Sequence, residues 1–314
     1  MAIVRAEGVT KQYGDVTALD ELTLSVEEGA TFGLLGTNGA GKTTLFKLLV
    51  GHIRPDAGRL EVDGMDVSTA GVRIRESVGY LPERGGFPGS LTGREVVRFH
   101  ARMRGIRKTD RRDRIDDVLE TVGLADASDR RVAGYSNGMN RRLGLATALL
   151  ARPRILLLDE PTAGLDPRGV SSFHRIVRTL NEETDLTLVL SSHVLAEVEK
   201  LCDSVAIVHD GRLRATGTLS ELNRRYGGGL LVTVRLDRPE ETDAAVATAG
   251  EHGGRVDSAT RGVVTVACRF DEAFTVLAAL REEVDLVGFE VQEPGLERVF
   301  EEVIDDATAT EGPA

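Results

Sequence analysis

Residues 36 to 43 read Gly36-Thr37-Asn38-Gly39-Ala40-Gly41-Lys42-Thr43, a full match to G-x-x-x-x-G-K-S/T. An apolar segment, Ala30 to Leu35, precedes the run, and a helical pattern, Thr44 to Val50, follows it. Strand, glycine loop and helix therefore come in the order this loop needs. Glycines let the backbone turn tightly enough for its N–H groups to point inward at phosphate oxygens. The helix start adds unpaired donors and a partial positive charge. In this frame Lys42 reaches the β- and γ-phosphates of a nucleoside triphosphate, the Thr43 hydroxyl ligates Mg²⁺, and Gly36 through Thr44 form the cradle.

A second cluster lies at Ile155-Leu156-Leu157-Leu158-Asp159-Glu160, four aliphatic residues ending in two acids. An aliphatic run by itself means core. Two carboxylates at the C-terminal end of a strand sit where parallel sheets bind their ligands. Asp159 can hold Mg²⁺ through water, and Glu160 can polarise an attacking water as general base.

These residues need a scaffold, and the pattern from residue 1 to about 225 describes one. Short β-like runs (Thr31–Leu35, Ser77–Leu81, Ile155–Leu158, Thr187–Ser191, Val205–His209) alternate with amphipathic stretches. Such alternation predicts a mainly parallel sheet covered by helices, an α/β fold. From Pro82 to Ala133 the pattern turns helical and charged, with helices expected over Arg94–Arg104 and Thr109–Val122. Gly227-Gly228-Gly229 reads as a hinge. Beyond it strands (230–236, 263–268, 286–291) alternate with helices (240–249, 271–283, 296–304), a small β-α-β-α-β-α unit. Residues 307–314 read as a flexible tail.

Composition narrows the class. The chain has 314 residues, 41% hydrophobic and 28% charged, as expected of a globular protein. No apolar run approaches the roughly 18 to 20 residues that cross a bilayer. The stretch Met1 to Gly14 lacks the apolar core of a signal peptide, so a cytoplasmic protein is expected. A net charge of −11 disfavours nucleic acid as a partner. Lysine occurs at five positions and the other 34 basic residues are arginine, a pattern that suits a salty cytoplasm or a GC-rich genome. Cys202 and Cys268 have no metal or disulfide spacing and read as reduced, buried thiols.

With the phosphate loop and acid pair in view, residues 1 to about 225 resemble the nucleotide-binding subunits of ATP-binding-cassette (ABC) transporters. Tyr135-Ser136-Asn137-Gly138-Met139, before the helix Asn140–Ala151, is similar to that family's signature, usually LSGGQ. Asn137 and Met139 depart from it. The resemblance implies a P-loop NTPase fold of the ABC-ATPase type, with a helical subdomain at about 83–140, while the pattern beyond the hinge reads as a small α+β accessory domain at 230–306. It implies that Ser136 and Gly138 contact ATP held by a second copy of the subunit. Ala163-Gly164-Leu165-Asp166 resembles the loop that meets the partner, which places Asp166 near the nucleotide. His193, in Ser191-Ser192-His193, falls where the family senses the γ-phosphate and steadies water. Tyr13 resembles the aromatic that stacks on adenine.

Tyr80-Leu81-Pro82-Glu83 occupies the switch loop, where the family usually carries glutamine. Glu83 adds a charge that could tighten Mg²⁺ binding and repel the γ-phosphate. Glutamate here is familiar among ABC-2 type exporters, so Glu83 is kept as a catalytic, metal-contacting and coupling residue. Pro294-Gly295-Leu296-Glu297-Arg298-Val299-Phe300 is similar to the LE-x-VF close of ABC-2 ATPase subunits, with Leu296, Val299 and Phe300 expected to pack inward.

The resemblance implies an ATPase that pairs on ATP and powers transport through separate integral-membrane permease subunits, from the inner face of the cell membrane. Two alternatives stand beside it. The segments 79–95 and 135–139 are also similar to NosF, the ATPase of a complex for copper-site maturation of nitrous-oxide reductase. A soluble, non-transport ABC ATPase is the third. The translation type carries two cassettes per chain, whereas one is present here. The DNA-repair type separates its motifs by long coiled coils, whereas Lys42 and Ser136 are less than about a hundred residues apart.

Overall fold

Strand β3 (Thr31–Leu35) is buried at every residue, because it lies inside a parallel sheet with both faces covered. The computed structural model describes residues 1–227 and 229–311. It divides into two units, Met1–Thr216 and a second beginning at Gly217. In the first, β1 (Ala2–Tyr13) and β2 (Val16–Glu27) form a long antiparallel hairpin ahead of β3. The phosphate loop leads from β3 into α1 (Lys42–Leu49). Strands β4 (Ala57–Val62) and β5 (Met65–Asp66) complete a four-stranded sheet of order β2-β1-β4-β5. Helix α2 (Val67–Ser77) returns to β6 (Val78–Leu81).

The helical insertion follows. Helix α3 (Gly93–Met103) starts at a capping box, in which Thr92 and Glu95 satisfy each other's main-chain N–H groups. Helix α4 (Arg111–Thr121) packs against it, and α5 (Asn137–Leu149) begins where the Ser136 hydroxyl accepts from Met139 N–H. The chain then re-enters the sheet as β7 (Ile155–Asp159). Helix α6 (Pro167–Glu183) has Pro167 in its first turn and Asp166 as its cap. Strand β8 (Thr187–Ser192), α7 (Leu195–Leu201), β9 (Ser204–His209) and β10 (Arg212–Thr218) finish a six-stranded sheet of order β10-β9-β3-β8-β7-β6. The pairs β6–β7, β7–β8, β8–β3 and β3–β9 are parallel. A core including Phe46 and Leu48 of α1, Val4 and Val9 of β1 and Leu157 of β7 joins this sheet to the antiparallel one.

The second unit opens with α8 (Leu219–Tyr226) and β11 (Leu230–Leu236), followed by α9 (Thr242–Glu251) and β12 (Arg255–Thr260). Strand β13 (Val263–Cys268), α10 (Ala273–Glu283), β14 (Leu286–Gln292) and α11 (Leu296–Glu311) complete it. Its sheet has the order β12-β13-β11-β14, and all its pairings are antiparallel. Val232, Val234, Val264 and Val266 pack with Ala245, Val276 and Leu280 into a separate core.

The structure departs from the sequence expectations at five places. The antiparallel sheet at the N-terminus adds to the parallel one. Strand β12 was not anticipated, because it is an exposed edge strand whose run RVDSAT lacks apolar alternation. The unit boundary falls at Thr216/Gly217 rather than near 225, since α8 packs on α11. Residues 307–311 are helical rather than a loose tail. The buried stripe Leu296, Val299, Val303 and Ala307 carries α11 past the expected end, while Phe300 is half-buried. Residues 312–314 lie outside the described residues. Both cysteines are free and buried.

Gly228 also lies outside the described residues, but Gly229 does not behave as a hinge. Its φ is +109°, and a Cβ there would come 2.0 Å from the Cys268 carbonyl oxygen. Gly229→Ala is expected to destabilise the second unit by roughly 2 kcal/mol or more through left-handed strain and a backbone clash. Urea denaturation of the full chain reads this directly, and an unchanged midpoint would restore the hinge reading.

Candidate functional site

The register of the parallel sheet aligns its strand ends. Leu35 pairs with Ser192, Asp159 with Ser191, and Leu81 with Leu158. Four segments therefore leave the sheet side by side at its C-terminal edge, where such sheets bind ligands. They are the phosphate loop after β3, the switch loop after β6, the acid pair after β7 and the Ser192-His193 turn after β8.

In the phosphate loop Gly41 has φ +102°, and an added Cβ would meet the Ala18 carbonyl oxygen at 2.4 Å. Only glycine suits that backbone, which lies directly under β2. Helix α1 starts there without a side-chain cap, so its first N–H groups face the loop. Lys42 is buried, and its Nζ donates to the carbonyls of Gly36 (2.7 Å) and Thr37 (3.2 Å). It also lies 3.7 Å from Glu160 Oε1. Burial pushes its pKa down, against the opposing pull of Glu160 and Asp159.

Asp159 is fully buried and held by three hydroxyls. Ser191 donates to Oδ1 at 2.8 Å, Thr43 to Oδ1 at 3.4 Å and Tyr80 to Oδ2 at 3.2 Å. Burial and the neighbouring carboxylate push the Tyr80 phenol well up, so it remains a donor. Glu160 has φ +43°, a left-handed backbone that costs a non-glycine residue about 1–3 kcal/mol. Its N–H donates to Ser191 Oγ at 3.0 Å, and His193 Nδ1 lies 2.8 Å from its Oε2. Thr43 Oγ and Asp159 Oδ1 are two hard oxygen donors converging beside the phosphate loop, a set that fits Mg²⁺ completed by phosphate and water.

The structure thus brings together Lys42, Thr43, Asp159, Glu160 and His193. Glu83 follows β6 on the switch loop, where its exposed carboxylate pairs with Arg84 at 3.6 Å and its charge still acts on Lys42. Tyr13 stands half-exposed near the end of the β1–β2 hairpin, with the Lys11 ammonium 5.6 Å from its ring centre. Ser136 and Asp166 are helix caps, Asp166 accepting from Gly169 N–H at 2.7 Å. Gly138 lies close to Gly169 of α6. Sequence reasoning did not assign roles to Ser191, Tyr80 or Arg141. The first two sit inside quoted motifs, but their bonds to Asp159 depend on register across neighbouring strands. Arg141 donates to main-chain carbonyls of both the switch loop and the acid pair.

A phosphate loop, a buried acid pair and a histidine at the ends of parallel strands, with a helical insertion, define an ATPase of the P-loop class. Residues 19–163 match the ABC transporter family model. The daunorubicin resistance ATP-binding protein DrrA3 of Streptomyces coeruleorubidus is 38% identical over 299 residues, covering 95% of this chain and 94% of that protein. The bacitracin transport ATP-binding protein BcrA of Bacillus licheniformis is 40% identical over 227 residues, 71% of this chain and 73% of that one. The solved structure of cbiO1 from Clostridium perfringens, part of the ABC transporter complex cbiONQ, superposes with a TM-score of 0.64. It shares 30% identity over 72% of this chain and 94% of its own. The chain belongs to the ATP-binding subunits of ABC transporters, and it binds and hydrolyses ATP.

Ser191 bridges the two acids from a fully buried position. Ser191→Ala strands the Glu160 N–H and leaves Asp159 Oδ1 with the longer Thr43 bond alone, at a cost of about 1–3 kcal/mol. A lowered melting temperature with a parallel loss of ATPase rate is the expected result. An unchanged melting temperature would show that the hydroxyl is dispensable.

Proposed function

We propose that this chain is the motor subunit of an ABC-2 type exporter, working as a pair of copies beneath separate permease subunits. One observation carries the reading: the Glu160–His193 pair set beside Lys42, on a chain that matches a drug-resistance ATP-binding protein over nearly its whole length. Glu160 is poised as general base. His193, as its Nδ1–H tautomer, holds Oε2 and orients the carboxylate, while Oε1 faces Lys42. A water oxygen attacks the γ-phosphorus, its proton passes to Glu160, and ADP leaves. Lys42 meets the negative charge of the transferred group from the other side. Thr43 and Asp159 would hold Mg²⁺, which when bound offsets charge on the β- and γ-phosphates. Tyr13 is assigned to the adenine face.

Ser136 and Gly138 form a capped helix start suited to grip a γ-phosphate bound to the second copy, with Asp166 shaping the loop between them. Each γ-phosphate then joins two surfaces, and its loss releases the pair. The permease side is assigned to a cleft of about 1620 Å³ between the sheet and the helical insertion, lined by Tyr80, Glu83, Phe87, Met103 and Tyr135. Glu83 at its rim is positioned to report permease contact to the site. Among the described residues no helix is long and apolar enough to cross a membrane; a peripheral place at the inner face is assigned from the transporter reading.

Glu160→Gln is expected to bind ATP normally, lose about 100-fold or more in turnover, and accumulate as an ATP-bound pair on gel filtration. Ordinary phosphate release would remove Glu160 from its role. Lys42→Ala should weaken nucleotide binding by about tenfold or more, measured by calorimetry. An unaltered affinity counts against the phosphate-loop assignment. The transporter reading itself predicts that a polytopic protein co-purifies from membranes, and recovery with ribosomes instead would sink it.

A further inference from the structure

Arg141 lies on α5, five residues beyond the Ser136 cap, and its guanidinium meets five main-chain carbonyls. Nε donates to Pro161 at 2.7 Å. Nη1 donates to Pro82 and, at 3.0 Å, to Glu83. Nη2 donates to Asp159 and, at 2.8 Å, to Glu160. A guanidinium has five N–H groups in a fixed planar fork, and here there is an acceptor for each. The acceptors belong to two different loops, the switch loop after β6 and the acid pair after β7, while the donor belongs to the signature helix. Burial lowers its pKa to about 10, against the pull of Asp159 and Glu83, so it stays charged at neutral pH.

The bond to Glu160 has a particular consequence. That residue's backbone is left-handed, a conformation that persists only where its surroundings hold it. Ser191 holds its N–H and Arg141 holds its carbonyl. Lysine could not replace the fork, since its three donors radiate from one nitrogen on a flexible stem.

We propose that Arg141 is a positioning residue that makes the signature helix, the switch loop and Glu160 move as one body. The inference rests on the two-copy reading above. There Ser136 and Gly138 serve the nucleotide bound by the twin, whereas Glu160 serves its own. A rigid tie between them sets the catalytic carboxylate of one site when the helix start engages the other, so the two sites turn over in concert. The same tie carries displacement of the switch loop to both.

The test measures nucleotide affinity, turnover and cooperativity in full-length Arg141→Lys and Arg141→Ala. ATP affinity of the isolated subunit should stay within about twofold of wild type, because Arg141 does not touch the phosphate loop. The kcat should fall on the order of 100-fold, as for a misplacement of about 1 Å, and the Hill coefficient for ATP should drop toward 1. Added guanidinium should return part of the rate to Arg141→Ala. Wild-type kcat and Hill coefficient in either variant overturn the proposal. So does a rate loss that guanidinium leaves untouched and that tracks a lowered melting temperature. Should Arg141→Ala fail to fold, Arg141→Lys decides by the same split between affinity and turnover. Glu160→Gln separates the two layers: if it never pairs on ATP, the two-copy reading is at fault. If it pairs while the Arg141 variants keep wild-type cooperativity, the tie alone is wrong.

Discussion

A carboxylate with no solvent exposure costs several kcal/mol unless its oxygens are met by donors, and Asp159 is such a group. Hydroxyls from β8 and β6 and from the first turn of α1 converge on it. That requirement ties together the ends of three neighbouring strands and the phosphate loop. A one-residue slip in any of the parallel registers would turn Ser191 or Tyr80 to the opposite face and leave the charge unmet. The need to satisfy one buried acid thus disciplines the geometry of the whole site.

Glu160 depends on the same anchor. Its left-handed backbone stores strain beside the reacting position, fixed by Ser191 on one side and Arg141 on the other. Preorganisation follows, because the carboxylate has little freedom once His193 and Lys42 flank it. Lys42 is itself destabilised by burial, so a strongly charged triphosphate meets a cation poorly solvated by water and eager for anionic partners.

Among its described residues the second unit shows no comparable site. It carries its own core and an antiparallel sheet of its own. Similarity to DrrA3 extends over 95% of the chain and therefore includes this unit, whereas the match to cbiO1 covers 72%. The ATPase unit is shared across the wider family, and the added unit belongs to part of it.

The phosphate loop, the acid pair and the order of β3, β7 and β8 were readable from sequence, because continuous apolar strands and glycine-rich turns are local signals. Lys42, Thr43, Asp159 and Glu160 announce themselves by residue type and neighbouring sequence, whereas His193 is legible through the family resemblance. Strand β12 and the far end of α11 were not visible in the same way. One is a polar edge strand, and the other is held by burial of Val303 and Ala307. Ser191, Tyr80 and Arg141 act through hydrogen bonds reaching from 18 to 79 residues along the chain. Residue identity alone told which groups could do the chemistry. The parallel register and the packing of α5 against two loops decided which groups hold them in place, since no local signal encodes a contact made between distant segments.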